Sequence, residues 1–200
     1  MNKLIVEPSP HIRSAMSTQK VMLNVIIAML PALAAATVIF GLKALVLTVI
    51  CCACCVLFEF LFCKVTKKPN SIHDLSAVVT GMLLAFNLPV ELPVYMAVIG
   101  CFVAIVVVKM LFGGIGQNFA NPAITARIVL MLSFTAAMTR WTAPFAYLNG
   151  ADAVTAATPL AAEQDALPSL LDMFLGVRGG CLGETCVAAL LIGGVYLCVR

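Results

Sequence analysis

Long apolar runs separated by short polar segments dominate the pattern along this chain. Each of six runs approaches the roughly 20 residues that a helix needs to cross about 30 Å of hydrocarbon. The runs lie near 21–40, 44–63, 72–89, 94–112, 122–139 and 182–199. The pattern therefore predicts an all-α integral membrane protein, a helical bundle with six spans.

Composition supports this prediction, and the first and last runs each need an interpretation of their own. Of the 200 residues, 62% are hydrophobic and only 10% are charged, which is too little polar surface to cover a soluble domain. A cleaved signal peptide is the alternative for the first run, but that run is long and more spans follow it, which favours a retained helix. The last run stops where the chain stops, so we expect one half of a longer, repeat-containing protein.

The positive charges predict an orientation. Cytoplasmic loops of membrane proteins carry an excess of lysine and arginine. Before the first run and after the second lie Lys3, Arg13, Lys20, Lys64, Lys67, Lys68 and His73. Lys43, in the short first loop, is an exception. Counting spans from the cytoplasmic N-terminus makes 1–20 a cytoplasmic segment, 21–139 a five-span bundle, 140–178 an extracytoplasmic loop and 179–200 a broken sixth span. If 72–89 is a re-entrant segment and not a crossing, the loop lies on the other side of the membrane. Acidic residues outnumber basic ones in 140–178, as expected of a translocated segment.

Two segments are too polar or too rich in glycine for plain spans. GGIGQNFANPAITAR at 113–127 predicts a helix broken over 113–121, with Asn121 as N-cap and Pro122 as first helical residue. GVRGGCLGETC at 176–186 places Glu184 at or inside the membrane boundary. At the centre of a membrane helix, an unpaired carboxylate costs about 2.5–3.5 kcal/mol. Close helix packing through glycine is one explanation, and a polar cavity or ion path is another.

Residue spacing does not favour a metal site on the nine cysteines. It also does not favour a dinucleotide-binding loop on the glycines of the first break. Most of the cysteines lie inside apolar runs, where sulfur is a small apolar filler, and Cys181 and Cys186 match no usual metal-ligand spacing. Gly114 and Gly116 lack the third glycine and the preceding strand of a dinucleotide-binding loop. No metal site and no nucleic-acid partner are predicted.

Asn121-Pro122-Ala123 resembles the half-helix signature of aquaporins. That resemblance covers only a few residues, and a water channel needs a second such half-helix. A channel or secondary transporter built on half-helices is therefore the alternative from another functional class.

A second resemblance covers nearly the whole chain. The matching segments, in order, are SPHI at 9–12, DLSAVVTGMLLAFNLP at 74–89, GGIGQNFANPA at 113–123, DAVTAATPL at 152–160, and GETC with LLIGGVYL at 183–197. Together they resemble the NqrB/RnfD family, membrane subunits of the Na⁺-pumping NADH:quinone reductase and of the Rnf ferredoxin:NAD⁺ oxidoreductase. The short polar segment before the first run is more similar to the D subunit of Rnf.

The resemblance implies a covalent flavin in the polar loop. In this family the motif Asp-x-x-Thr/Ser-Gly/Ala-Ala-Thr is the site at which a flavin transferase joins the phosphate of FMN to the last threonine. Asp152, Thr155 and Thr158 occupy the motif's polar positions, so Thr158 is the implied attachment site. Pro159 biases Thr158 toward an extended backbone that presents its hydroxyl. Without the resemblance, this stretch would be interpreted as an ordinary capped turn.

The resemblance also implies a second, noncovalent flavin such as riboflavin, with Asn118 and Asn121 as hydrogen-bond partners. The implied function is an electron-transfer membrane subunit of a redox-driven Na⁺- or H⁺-translocating complex in the bacterial cytoplasmic membrane. Ferredoxin and NAD would act through other membrane and peripheral subunits, because this chain has no nucleotide-binding or iron–sulfur motif. The chain alone is not expected to catalyse a reaction. The alternative within the family is the B subunit of the quinone reductase.

Overall fold

Two long antiparallel helices form the frame of the fold. The computed structural model describes residues 17–68, 71–148 and 169–200. Helix α1 spans Thr18–Phe40 and helix α2 spans Leu42–Thr66, and within the described residues these two are long and apolar enough to cross a membrane. Gly41 alone separates them, with a φ of 80° that other residues rarely adopt. The first two predicted spans are therefore helices joined by a one-residue turn.

The other predicted runs contain shorter helices. They are α3 (Ser76–Phe86), α4 (Val94–Phe102, continued as a π-helix over Val103–Met110), α5 (Pro122–Ser133), α6 (Thr135–Met138) and α8 (Val187–Val199). A further short helix, α7 (Leu170–Leu175), lies in the segment 140–178 that was predicted to be a loop. Single 3₁₀ turns cover Ile72–Asp74 and Ala146–Leu148. Proline explains one shortened run: α3 ends at Phe86, shortly before Pro89, and α4 starts directly after Pro93.

Contacts with α2 show that the third run extends along the whole helix. The Ser71 hydroxyl donates to Glu59 near the C-terminal end of α2. At the other end, Glu91 pairs with Lys43, in the first turn of α2. Residues 71–91 therefore run from one end of α2 to the other, although only 11 of them form α3. The α4 segment returns in the opposite direction, because Lys109 near its C-terminus again contacts Glu59.

The last helix runs antiparallel to the first. The Tyr196 hydroxyl lies 3.3 Å from Asn24 Oδ1, near the start of α1. Gly193 lies against Ala28, one turn further along α1. We call the end of the bundle with Lys20, Lys64 and Arg200 the lysine end, and the end with residues 38–43, 91 and 141–148 the loop end.

Small side chains let the helices pack closely at the centre of the bundle. A Cβ atom on Gly81 would lie 2.7 Å from the Cα atom of Cys52, so α3 and α2 touch through their backbones. Cys51, Cys55 and Cys101 are fully buried, which agrees with their predicted role as fillers. Outward faces stay apolar, with Leu42 and Val65 among the most exposed side chains. Small residues at helix contacts and apolar outer faces indicate a membrane protein.

Candidate functional site

Asn121 has the cap role that its sequence position predicts. Its side-chain oxygen accepts hydrogen bonds from the backbone N–H groups of Ala123, at 3.0 Å, and Ile124, at 3.4 Å. Pro122 is the first residue of α5. The cap uses the oxygen of the carboxamide, so the NH₂ group remains a donor for another partner.

Asn118 holds the turn that follows the π-helix. In the amide orientation that satisfies both of its ends, the side-chain NH₂ group donates to the carbonyl of Gly114 at 2.9 Å and to that of Lys109 at 3.2 Å. The side-chain oxygen then remains an acceptor. Residues 111–121 form turns and bends between Met110 and Pro122, so the segment predicted to break a span is not helical. That it lies within a single crossing stays a prediction.

The predicted flavinylation residues Asp152, Thr155 and Thr158 lie outside the described residues. The segment that leads toward them is fastened to the loop end. The Phe145 N–H donates to the carbonyl of Ile39 at 2.8 Å, and the Tyr147 hydroxyl donates to that of Val38 at 2.9 Å. The chain therefore enters 149–168 at the end of the bundle opposite Lys20 and Lys64.

A polar cluster surrounds Arg127 on α5. One guanidinium nitrogen donates to Asn87 Oδ1 at 2.8 Å and to Glu184 Oε1 at 3.0 Å. The other terminal nitrogen lies 3.4 Å from the Cys181 sulfur. Arg127 thus joins the end of α3 to the turn before α8. It also supplies the partner that the predicted membrane-boundary carboxylate of Glu184 requires.

Backbone pairing holds the same turn against the end of α3. The N–H of Gly183 donates to the carbonyl of Phe86 at 2.9 Å, and that of Leu182 donates to the carbonyl of Leu88 at 3.3 Å. A Cβ atom at Gly183 would lie 2.5 Å from Phe86 Cβ, so only glycine permits this approach. Backbone polar groups at and just after the end of α3 therefore satisfy those of the turn before α8 inside an apolar bundle.

A buried ion pair lies toward the lysine end. Lys109 Nζ is 2.6 Å from Glu59 Oε2 and 2.5 Å from Ser76 Oγ, and the two charged side chains are 3% and 0% exposed. The Ser71 hydroxyl donates to the second Glu59 oxygen. The Ser76 hydroxyl donates to Asp74 at 2.6 Å, which continues the chain of hydrogen bonds toward the surface. Such a connected set of carboxylates, hydroxyls and an ammonium group can hold or pass a proton.

The sequence carries a signal for both clusters that lies outside the recognised motifs. Glu59, Lys109 and Arg127 are each the only charged residue within their apolar runs 44–63, 94–112 and 122–139. A lone ionisable residue inside a span is expensive, so its presence indicates a paired or functional position. Which residues pair could not be inferred, because the partners are 40 to 57 positions apart.

Comparison with known proteins identifies the family. The model of the family described as NQR2, RnfD, RnfE matches residues 5–200. The chain belongs to this family. Its relatives include the D subunit of the Na⁺-translocating ferredoxin:NAD⁺ oxidoreductase complex of Acetobacterium woodii, which is 51% identical over 97% of this chain. The D subunit of the proton-translocating ferredoxin:NAD⁺ oxidoreductase complex of Clostridium ljungdahlii is 40% identical over 98% of it.

A relative of lower identity matches over the same share of its own length. The D subunit of the ion-translocating oxidoreductase complex of Rhodobacter capsulatus is 34% identical over 95% of this chain. In all three comparisons the matched region is 62% of the relative's own length. The chain therefore spans about three-fifths of the curated relatives that it matches. The family prediction is confirmed, and the preference for the D subunit of Rnf agrees with the names of these relatives.

Proposed function

We propose that this chain is an electron-transfer membrane subunit of a ferredoxin:NAD⁺ oxidoreductase complex and carries FMN covalently on Thr158. The observation that carries the proposal is the 51% identity, over nearly the whole chain, to the D subunit of a Na⁺-translocating complex of that activity. The motif from Asp152 to Thr158 supplies the flavin assignment.

The direction of the helices supports an extracytoplasmic position for Thr158. The chain leaves the lysine end in α1 and enters 149–168 from the loop end. Lysines collect on the cytoplasmic side of membrane proteins, so the lysine end faces the cytoplasm and the loop end faces outward. The complex then lies in the bacterial cytoplasmic membrane, with a flavin transferase reaching the loop from outside.

Thr158 would hold the covalent flavin through a phosphoester to its hydroxyl, with Asp152 and Thr155 helping to position the phosphate during transfer. The bound flavin supplies one-electron chemistry, and the protein supplies position and tuning. The noncovalent flavin would take its hydrogen bonds from Asn118 and Asn121. The donor left on Asn121 and the acceptor left on Asn118 fit a ring edge that carries both carbonyl oxygens and an N–H group.

Partner subunits would supply ferredoxin oxidation, NAD⁺ reduction and the remaining redox centres, while the complex moves Na⁺ or H⁺. Ionisable residues inside apolar runs support a role in ion translocation rather than simple anchoring. Lys109 and Glu59 are the most deeply buried of these. The B subunit of the quinone reductase is the second candidate, because the matching family model includes NQR2.

Flavin fluorescence on a denaturing gel tests the proposal. The full-length protein, expressed in its native host, should give a fluorescent band that survives denaturation and disappears in Thr158→Ala. Thr139→Ala, which removes a hydroxyl at the loop end outside the motif, should keep the band. A band that persists in Thr158→Ala would refute the attachment site, and a wild-type protein with no band would refute the flavoprotein assignment. Donor and acceptor assays on the purified complex then separate Rnf from the quinone reductase.

A further inference from the structure

An apolar groove of about 680 Å³ lies on the outer surface of the bundle, between α1 and α2. Its rim includes the exposed side chains of Leu30, Leu57 and Phe60, and its floor includes the buried Thr48 and Met82. Thr48 and Phe60 lie 12 positions apart on α2, which is about 18 Å along the helix axis. The groove therefore covers more than half of the roughly 30 Å thickness of the hydrocarbon layer.

The polar groups in the floor of the groove are already bonded within the protein. The Thr48 hydroxyl donates to the carbonyl of Ala44 at 2.9 Å, and the Cys52 thiol donates to that of Val78 at 3.7 Å. A polar ligand in the groove would lose its hydrogen bonds to water without gaining new ones. The groove is therefore suited to hydrocarbon.

The rim of the groove differs from the helix contacts elsewhere in this fold. The contact between α2 and α3 forms at Gly81, and the contact between α1 and α8 forms at Gly193. Such small residues let two helix backbones approach each other closely. Leucine and phenylalanine at the rim keep another backbone at a distance, whereas a flexible acyl chain can lie between their side chains.

Two lysines continue the lining face of α2 toward the lysine end. Residues four and seven positions apart lie on one face of a helix, so Lys64 follows Phe60 by one turn and the C-cap residue Lys67 follows it by about two. Both lysines are exposed, and neither pairs with a carboxylate within the part of the chain that the structure describes. The groove therefore has positive charge at the end where it approaches the membrane surface.

We propose that this groove binds one acyl chain of an anionic phospholipid and that the phosphate of the same lipid contacts Lys64 and Lys67. The apolar groove matches the chain, and the two ammonium groups match the phosphate. The lysine end faces the cytoplasm in the orientation proposed above, and anionic lipids of the cytoplasmic leaflet attract lysines beside a membrane helix. The site does not depend on a bound flavin.

The head-group contact is tested by titrating phosphatidylglycerol into the full-length subunit and counting bound lipid by native mass spectrometry. Each lysine near the surface contributes roughly fivefold to the affinity for anionic lipid, so Lys64→Gln/Lys67→Gln should bind phosphatidylglycerol about 20- to 30-fold more weakly. Phosphatidylcholine, which has no net charge, should bind this variant and the wild type alike.

A second double variant controls for the loss of charge. Lys20→Gln/Arg200→Gln removes two positive charges at the same end, beside a separate recess of α1 and α8. It should bind phosphatidylglycerol as the wild type does, because exposed charges that do not touch the phosphate are screened by salt. Equal affinity of the wild type and Lys64→Gln/Lys67→Gln for phosphatidylglycerol would overturn the proposal. All four side chains are exposed, so neither variant should prevent folding.

The acyl-chain contact is tested by filling the groove. Ala53 is exposed and lines the groove, so the larger side chain of Ala53→Phe should take the place of the acyl chain and weaken phosphatidylglycerol binding. Leu61→Phe enlarges an exposed side chain of α2 outside the groove and should leave binding unchanged. Undiminished binding to a folded Ala53→Phe would overturn the proposal.

Photo-crosslinking in the native complex identifies what occupies the groove. Benzoylphenylalanine placed at position 60, on the rim, should attach to phospholipid in the native membrane. Attachment to another subunit, or to another part of the same subunit, would show that protein fills the groove and would overturn the proposal.

Discussion

Lys109 and Glu59 lie 50 positions apart in sequence and form an ion pair of 2.6 Å that is almost completely withdrawn from solvent. The pair joins the π-helical end of α4 to α2, and hydroxyl groups of Ser76 and Ser71 occupy further hydrogen-bonding positions. Taking two charges out of water is costly, and the cost is offset only while both partners are present.

Removing one partner should therefore destabilise the bundle strongly. We expect Lys109→Met to lower the unfolding free energy by about 3–5 kcal/mol, because it leaves the Glu59 carboxylate buried and unpaired. The measurement is thermal unfolding in a mild detergent, with Lys20→Met as the exposed control. The double variant Glu59→Gln/Lys109→Met should recover most of the loss. If Lys109→Met were as stable as the control, the ion pair between Lys109 and Glu59 would not form in the protein.

Arg127 should control access to Cys181. Arg127→Gln removes the guanidinium that bridges Asn87 and Glu184, so the turn before α8 should open more often. A lost charge-assisted hydrogen bond of about 1.5–3 kcal/mol predicts maleimide labelling of Cys181 at least about tenfold faster. Arg127→Lys should not restore protection, because an ammonium group lacks the guanidinium's planar fork.

Peptide mapping by mass spectrometry resolves Cys181 from the other cysteines. Cys198 is exposed and provides the internal control, since its labelling rate should be the same in every variant. Equal labelling of Cys181 in wild type and Arg127→Gln would mean that backbone pairing with Phe86 and Leu88 alone holds the turn.

Asn121 offers a way to separate a helix cap from a flavin contact. Asn121→Ala should cost about 1 kcal/mol of stability through loss of the cap, and Asn121→Asp should keep the cap. Aspartate lacks the NH₂ donor, so we expect Asn121→Asp to lose noncovalent flavin while retaining stability. The measurement is the flavin released on denaturation, together with the melting temperature. Full retention of released flavin in Asn121→Asp would limit the residue to capping.

Gly81 should be intolerant of a side chain. A Cβ atom there would meet the backbone of Cys52 at 2.7 Å, so α3 and α2 must move apart in Gly81→Ala. Overpacking of this kind costs about 1–3 kcal/mol. Gly194→Ala is the matched control, since a Cβ atom at Gly194 meets nothing within 4 Å. Equal melting temperatures for the two variants would contradict the close contact between α2 and α3.

Local sequence patterns predicted where many of the helices lie. Each of the six apolar runs contains a helix, and the cap at Asn121 followed from the Asn-Pro pair alone. Helix ends set by distant contacts could not be predicted in the same way. The run 182–199 becomes helical only from Val187, because residues 182 and 183 pair with the end of α3. The expected internal repeat stays a prediction.

The residues of the candidate site also fall into two groups, those inferred from a local motif and those defined by contacts with distant residues. Asp152, Thr155 and Thr158 were inferred from a short contiguous motif and stay predictions, since they lie outside the described residues. The partners of Arg127 and Lys109 come from other helices, so spacing along the chain gave no information about them. A cavity at the loop end likewise combines residues of α1 and α2 with Glu91 and with residues between 142 and 147.

The mass of the proteolytic peptide that contains residues 152–160 is the most direct test of the central claim. The full-length protein should be isolated from its native host, and the same peptide should be compared between wild type and Thr158→Ala. We predict that the wild-type peptide is heavier by one FMN group, less the water lost in forming the phosphoester, and that the variant peptide has its unmodified mass. A wild-type peptide of unmodified mass would contradict the account.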